Sequence, residues 1–277
     1  MNDDLRPSTI DEPEPAGAPR PRRMGIYVLP NAITLAALFS GFYAIVMAMS
    51  GRFDVAAIGI FCAAILDSLD GRVARMTNSQ SAFGEQMDSL CDMVNFGAAP
   101  ALIVLEWALK DLGKIGWIAA FVYISAAALR LARFNTNIGV VDKRFFQGLP
   151  SPAAAALVMG LVYVMDDAGF RGVSKIGWLS WTAFGVTLYA GLSMVTNTPF
   201  YSFKVVGGKR TVPFVVLVAI ALGIALISLH PPIALFAVFC AYGLSGYGVY
   251  AWRKLKGKPT SVIAISTDDP DEKGLHP

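Results

Sequence analysis

"LDSLDGRVARMTNSQSAFGEQMDSLCDMVNF", Leu66–Phe96, sets four aspartates between hydrocarbon-rich flanks, "FDVAAIGIFCAAI" (53–65) before it and "GAAPALIVLEW" (97–107) after it. Asp67 and Asp70 are three residues apart, and Asp88 and Asp92 four apart, so each pair shares one face of a helix. The polar segment between the pairs reads as a turn, with one helix ending near Arg75 and the next starting near Gly84. At 1.5 Å per residue, Asp67 lies roughly 12 Å from Arg75 along its helix, and Asp92 roughly 12 Å from Gly84. The pairs therefore occupy matching depths on two antiparallel helices.

The rest of the chain says what surrounds them. Of 277 residues, 55% are hydrophobic and 16% charged, with a mean hydropathy of +0.54. Soluble domains carry about 25% charged residues, so the composition points to a membrane protein. Spanning helices need about 20 apolar residues, and candidate spans fall near 28–49, 54–75, 85–107, 115–133, 151–167, 176–195, 212–229 and 232–252. The expected fold is all-α, a polytopic transmembrane bundle of about eight helices. Residues 1–24 and 257–277 are too polar and proline-broken to pack, and are expected to be disordered tails. The first apolar run is too long for a signal-peptide core and is expected to stay as a helix.

With eight spans, both termini share a side with the loops around 76–84, 134–150 and 196–211. That side receives 18 of the 23 Lys and Arg residues; the other takes Arg52, Lys110, Lys114, Arg171 and Lys175. The bias makes the first side cytoplasmic, at the inner membrane of the cell. The three cysteines, Cys62, Cys91 and Cys240, lie in apolar segments without metal-ligand spacing, and the only histidines are His230 and His276. Histidine catalysis and a zinc site are therefore not expected, and no nucleic-acid partner is implied.

Four carboxylates crowded near an apolar boundary repel one another. Hard divalent cations relieve this, because Mg²⁺ and its kin prefer carboxylate oxygens, and two of them neutralise four aspartates. Gly71, Ala74 and Gly84 are small residues beside the acids, suited either to close helix packing or to close approach of a ligand. Arg75 offers a guanidinium suited to phosphate. Acids, divalent cations, an arginine and small residues together describe a diphosphate site.

The pattern Asp67-x2-Asp70-Gly71-x2-Ala74-Arg75-x8-Gly84-x3-Asp88-x3-Asp92 resembles the signature of the CDP-alcohol phosphatidyltransferases, every element and gap in place. The resemblance implies transfer of a phosphatidyl group from a CDP-linked lipid to an alcohol, with release of CMP. It implies that Asp67, Asp70 and Asp88 hold two divalent ions, Mg²⁺ or Mn²⁺, with Asp92 also at the cluster and acting as general base. Gly71, Ala74, Arg75 and Gly84 would form the nucleotide and diphosphate site, with Asn31 and Thr34 of "LPNAIT" near the nucleotide. It further implies a six-helix catalytic core, here within residues 25–210, two additional helices in 211–256, and a homodimer among membrane lipids.

The strings "ALRLARFNTN" and "DKRFFQGLPSPAAAA" are similar to those of the bacterial membrane-integral phosphatidylserine synthases. This implies CDP-diacylglycerol and L-serine as substrates. The serine carboxylate needs a cation, and Arg133, Arg130, Lys143 and Lys204, with Asn135, are the candidates. The basic residues alone fit glycerol phosphate, inositol phosphate or choline acceptors as well, and intramembrane acids also occur in cation-coupled transporters.

Overall fold

The computed structural model describes residues 25–136, 145–170, 177–201 and 214–256. The tails 1–24 and 257–277, and with them part of the expected domain scheme, lie outside the described residues, as do Lys143 and Lys204. The helices are α1 (Gly25–Met49), α2 (Phe53–Met76), α3 (Ala82–Asp92), α4 (Ala99–Trp107), α5 (Lys114–Thr136), α6 (Ser151–Asp167), α7 (Gly177–Val195), α8 (Phe214–Leu229) and α9 (Pro231–Leu255). A π-helical segment, Met93–Ala98, joins α3 to α4 without a break. Counted as one helix, Ala82–Trp107 brings the described residues to the expected eight, and the all-α polytopic bundle stands.

Four segments are long and apolar enough to cross a membrane by themselves: Leu29–Met49, Ala82–Trp107, Lys114–Thr136 and Pro231–Leu255. The others depart from that ideal for visible reasons. α2 carries Asp54, Asp67, Asp70, Arg72 and Arg75, and α6 and α8 have only 17 and 16 residues. Phe39, Phe42, Trp117, Phe121, Trp181 and Leu244 point outward from the bundle, a surface suited to lipid rather than water.

Small residues let the helices approach. Ala44 and Ala48 of α1 and Ala56 and Ala57 of α2 are buried in one core cluster, and the Ser40 hydroxyl donates to the Gly59 carbonyl across the pair at 2.7 Å. A Cβ on Gly59 would stand 2.9 Å from that of Ala44. Backbones this close are the membrane substitute for a hydrophobic driving force.

The turn between α2 and α3 is built from its own side chains. Asn78 adopts a left-handed φ of 49°, which asparagine tolerates. Ser81 caps α3, accepting the Gly84 amide at 3.0 Å. The π segment follows from Pro100, which has no N–H to return to the Phe96 carbonyl four residues back. The backbone widens, with the Ala99 amide reaching Val94, and the Tyr123 hydroxyl of α5 donates to the Phe96 carbonyl at 3.0 Å.

One element was not expected from the sequence. β1 (Phe145–Gln147) pairs antiparallel with β2 (Pro199–Tyr201), Phe146 opposite Phe200. Three-residue strands separated by two helices carry no periodic signal, so only their meeting in space reveals them.

Asn95 of the π segment is fully buried, and a Cβ on Gly41 would lie 2.1 Å from its Oδ1. Gly41→Ala is therefore expected to lower stability by about 1–3 kcal/mol through overpacking. Gly185→Ala, where nothing stands within 4 Å, is expected to leave it unchanged or slightly raised. Thermal unfolding of the two variants in detergent checks the contrast.

Candidate active site

The hairpin of α2 and α3 brings the acids together from both strands of the turn. One carboxylate oxygen each from Asp67, Asp70 and Asp88 lies within 4.8 Å of the others. Asp92 is close enough to Asp67 to interact with it electrostatically, and its Oδ1 is buried without a hydrogen-bond partner. Asp70 is only 4% exposed and is held by the Thr34 hydroxyl of α1, which donates to its Oδ2 at 2.7 Å. At about 5 Å and an effective dielectric of about 20, each anion pair repels by roughly 3 kcal/mol. Such a cluster needs a cation, and its donor set of hard carboxylate oxygens fits a divalent one of the Mg²⁺ or Mn²⁺ kind.

On one flank α1, α2 and the start of α3 enclose a cavity of about 210 Å³. Asn31, Thr34, Gly71, Ala74, Arg75 and Gly84 all line it, together with Asp70 and Asp88. The two readings of Gly71 now separate: a Cβ there would meet only the Arg75 side chain, at 3.5 Å, and no neighbouring backbone. Helix packing does not require that glycine, which stands at the cavity wall beside Arg75. Ser79, Gln80 and Ser81 of the turn, and Glu85 in the first turn of α3, line the same cavity though the sequence did not single them out; the signal for the first three was their place between two acid-bearing helices, and for Glu85 its three-residue spacing from Asp88.

The cytoplasm-directed end expected for α5 carries basic side chains, Arg130 and Arg133, outside the cavity lining. Asn135, at the end of α5, donates to the Ser89 hydroxyl at 3.1 Å, which seats that end beside Asp88. One turn earlier, Arg130 donates through Nη1 to the Ser151 hydroxyl at 2.9 Å. Its buried Nε has no hydrogen-bond partner, and its charge lies within electrostatic reach of Asp92. Arg133 instead reaches across to the end of α7, donating to Asn197 Oδ1 at 2.9 Å and to the Val195 carbonyl at 2.6 Å. Asp70 and Asp88 thus border the cavity, while Asp92 lies within electrostatic reach of the anchored Arg130.

Comparison with known proteins yields one family and a consistent set of relatives. Residues 27–197 match the family model described as CDP-alcohol phosphatidyltransferase. A Helicobacter pylori (strain J99) protein named CDP-diacylglycerol–serine O-phosphatidyltransferase is 36% identical over 228 residues, 82% of this chain and 92% of its own. A Mycobacterium leprae protein of the same name is 33% identical, over 81% of this chain and 75% of its own. One from Methanocaldococcus jannaschii, also so named, is 28% identical over 80% and 95%.

Thr34 does not touch the other three acids through any hydrogen bond, so its contribution can be isolated. Thr34→Ala is expected to weaken divalent binding by about tenfold, the usual size of a lost outer contact to a metal ligand. Titration of the purified protein with Mn²⁺, followed by the spectrum of the free ion, measures it; an unchanged affinity would show that Asp70 needs no such anchor.

Proposed function

We propose that this chain, which belongs to the CDP-alcohol phosphatidyltransferase family, transfers the phosphatidyl group of CDP-diacylglycerol to the hydroxyl of L-serine and releases CMP. The observation that carries the reading is the carboxylate cluster at the wall of a cavity that also holds Arg75, with Arg130 in electrostatic reach of Asp92. Serine as the acceptor is supported by the names of relatives aligned over four-fifths of the chain.

Asp67, Asp70 and Asp88, with Asp92 beside them, would hold two divalent cations, Mg²⁺ or Mn²⁺, whose contribution is to neutralise charge on the diphosphate. Arg75, Asn31 and Thr34 supply polar contacts to the nucleotide and diphosphate, while Gly71, Ala74 and Gly84 leave room for them. Asp92 takes the proton of the serine hydroxyl as its oxygen bonds to phosphorus and the bond from phosphorus to CMP breaks. The orphaned Asp92 Oδ1 supports that role. Arg130, Arg133 and Asn135 border the acceptor side, where a zwitterion's carboxylate requires cationic company; Lys143 and Lys204 belong to the same assignment.

The Lys and Arg bias supports a site facing the cytoplasm from the cell's inner membrane, with both tails on that side. Residues 25–210 would form the catalytic core and 211–256 an addition to it, in a homodimer embedded in lipid. Family membership weighs against the cation-coupled transport reading, and the other acceptors are arms of the test below.

CMP release from CDP-diacylglycerol by the purified protein, with Mg²⁺ or Mn²⁺ and with serine, glycerol 3-phosphate, inositol phosphate or choline in parallel, decides the acceptor. Serine-dependent release that stops on adding EDTA is expected; release with another alcohol alone would replace serine and keep the metal cluster. Asp92→Asn is expected to lower turnover by about 10²–10⁴-fold, the scale of a lost general base, while leaving nucleotide-lipid binding largely intact. Asp67→Ala is expected to abolish the metal-dependent activity, and turnover indifferent to both this change and EDTA would sink the two-metal reading.

A further inference from the structure

The last helix, α9, lies beyond the 27–197 stretch that matches the family, yet it grips the element that anchors Arg133. The Arg133 guanidinium binds Asn197 and Val195, and Gln147 of β1 donates to the same Asn197 Oδ1 at 2.8 Å. Gln147 of β1 and Arg133 therefore meet on one side chain, Asn197, two residues before β2. The ladder is extended by backbone bonds from the Gly148 amide to Thr198 at 2.9 Å and from the Leu149 amide to Ser193 at 2.9 Å. Gly148 is required here, since its φ is +75° and a Cβ would sit 2.4 Å from the Met194 carbonyl oxygen.

On the far side of this ladder stands α9. The Tyr247 hydroxyl shares a 2.8 Å hydrogen bond with Ser193, the residue whose carbonyl receives the Leu149 amide. The Tyr242 hydroxyl donates to the Tyr201 carbonyl of β2 at 3.2 Å. Phe200, fully buried on β2, packs its ring against both tyrosines. Gly246 makes room for it: a Cβ there would lie 2.4 Å from the ring. Tyr189 of α7 closes the set by donating to the Gly243 carbonyl at 2.8 Å. A helix that served only to fill lipid-facing surface would not direct its tyrosines and its closest glycine onto one three-residue strand.

We infer that Tyr247, Tyr242 and Gly246 of α9 are positioning residues for the acceptor side of the site, acting through β2 and Asn197 on Arg133. This rests on the phosphatidyltransferase reading above and adds to it that α9 tunes acceptor affinity without touching the nucleotide lipid. The cavity lined by Asn31, Thr34, Gly71 and Arg75 includes neither Arg133 nor any residue of β1, β2 or α9, which is why the two substrates should respond differently.

The test compares the full-length purified protein with Tyr247→Phe, Ser193→Ala and the double variant, each of the singles removing one end of a single hydrogen bond. CMP release is measured against serine and against CDP-diacylglycerol, alongside hydrogen exchange of segments 145–150 and 197–201. Each single variant is expected to raise KM for serine about threefold to tenfold, the range of one lost neutral hydrogen bond, and to speed exchange of those segments. KM for CDP-diacylglycerol should stay within about twofold, and the double variant should be no worse than either single, because all three lose the same bond. An equal rise in both KM values, a raised serine KM without faster exchange, or faster exchange without a raised KM would each overturn the inference. Failure of the serine assignment looks different: the wild type then releases CMP with another alcohol only, and the same variants are judged on that alcohol's KM. A wild type that releases CMP with none removes both readings together.

Discussion

Mutual repulsion among Asp67, Asp70, Asp88 and Asp92 is the constraint around which the N-terminal half of the molecule is arranged. One oxygen each of Asp67, Asp70 and Asp88 lies within 4.8 Å of the others, a repulsion that a counter-charge or a proton must relieve, and no Lys or Arg makes a salt bridge to these acids among the described residues. Their positions are held from outside instead. The Ser81 cap and the left-handed Asn78 set the turn, Thr34 restrains Asp70, and Ala- and Gly-lined contacts bring α1 against α2 closely enough for that bond to form. A cluster kept open in this way is ready for divalent ions and for the diphosphate they neutralise.

The π segment belongs to the same scheme. Asp92 ends α3, and the widened turn begins at the next residue. The widening follows from Pro100, and Tyr123 compensates the carbonyl it strands. Because the segment is buried between α1 and α5, with Asn95 lodged against Gly41, the depth and direction of Asp92 are fixed by packing and not by the helix alone. Across the acids, Arg130 and Arg133 are likewise tethered, one to the start of α6 and the other to the end of α7. The cavity and the tethered arginines are thus built from different helices.

Much of this was legible in the chain. Apolar runs of spanning length located eight helices to within a few residues, since lipid requires every backbone group to be satisfied inside its own helix. The i, i+3 and i, i+4 spacing of the acids put each pair on one face. The cavity residues Gly71, Ala74, Arg75 and Gly84 were readable because they are spaced along the same two helices. Ser79, Gln80 and Ser81 were not, because a turn has no period to show which side chains face inward. Arg133 was readable as a cation at the right depth, but its partners Asn197 and Val195 lie more than 60 residues away.

By itself, then, the sequence determined the helical membrane architecture, the sharing of helix faces by the acids, and the chemistry those acids are suited to. These follow from local periodicity and from the cost of placing charge in an apolar setting. The tertiary structure alone decided that the second pair meets the first, that Thr34 is the anchor of Asp70, and that β1 and β2 join across two helices under the grip of α9. Such features depend on contacts between residues far apart in the chain, where small residues and buried hydroxyls carry no local signature and acquire meaning only from what stands opposite them.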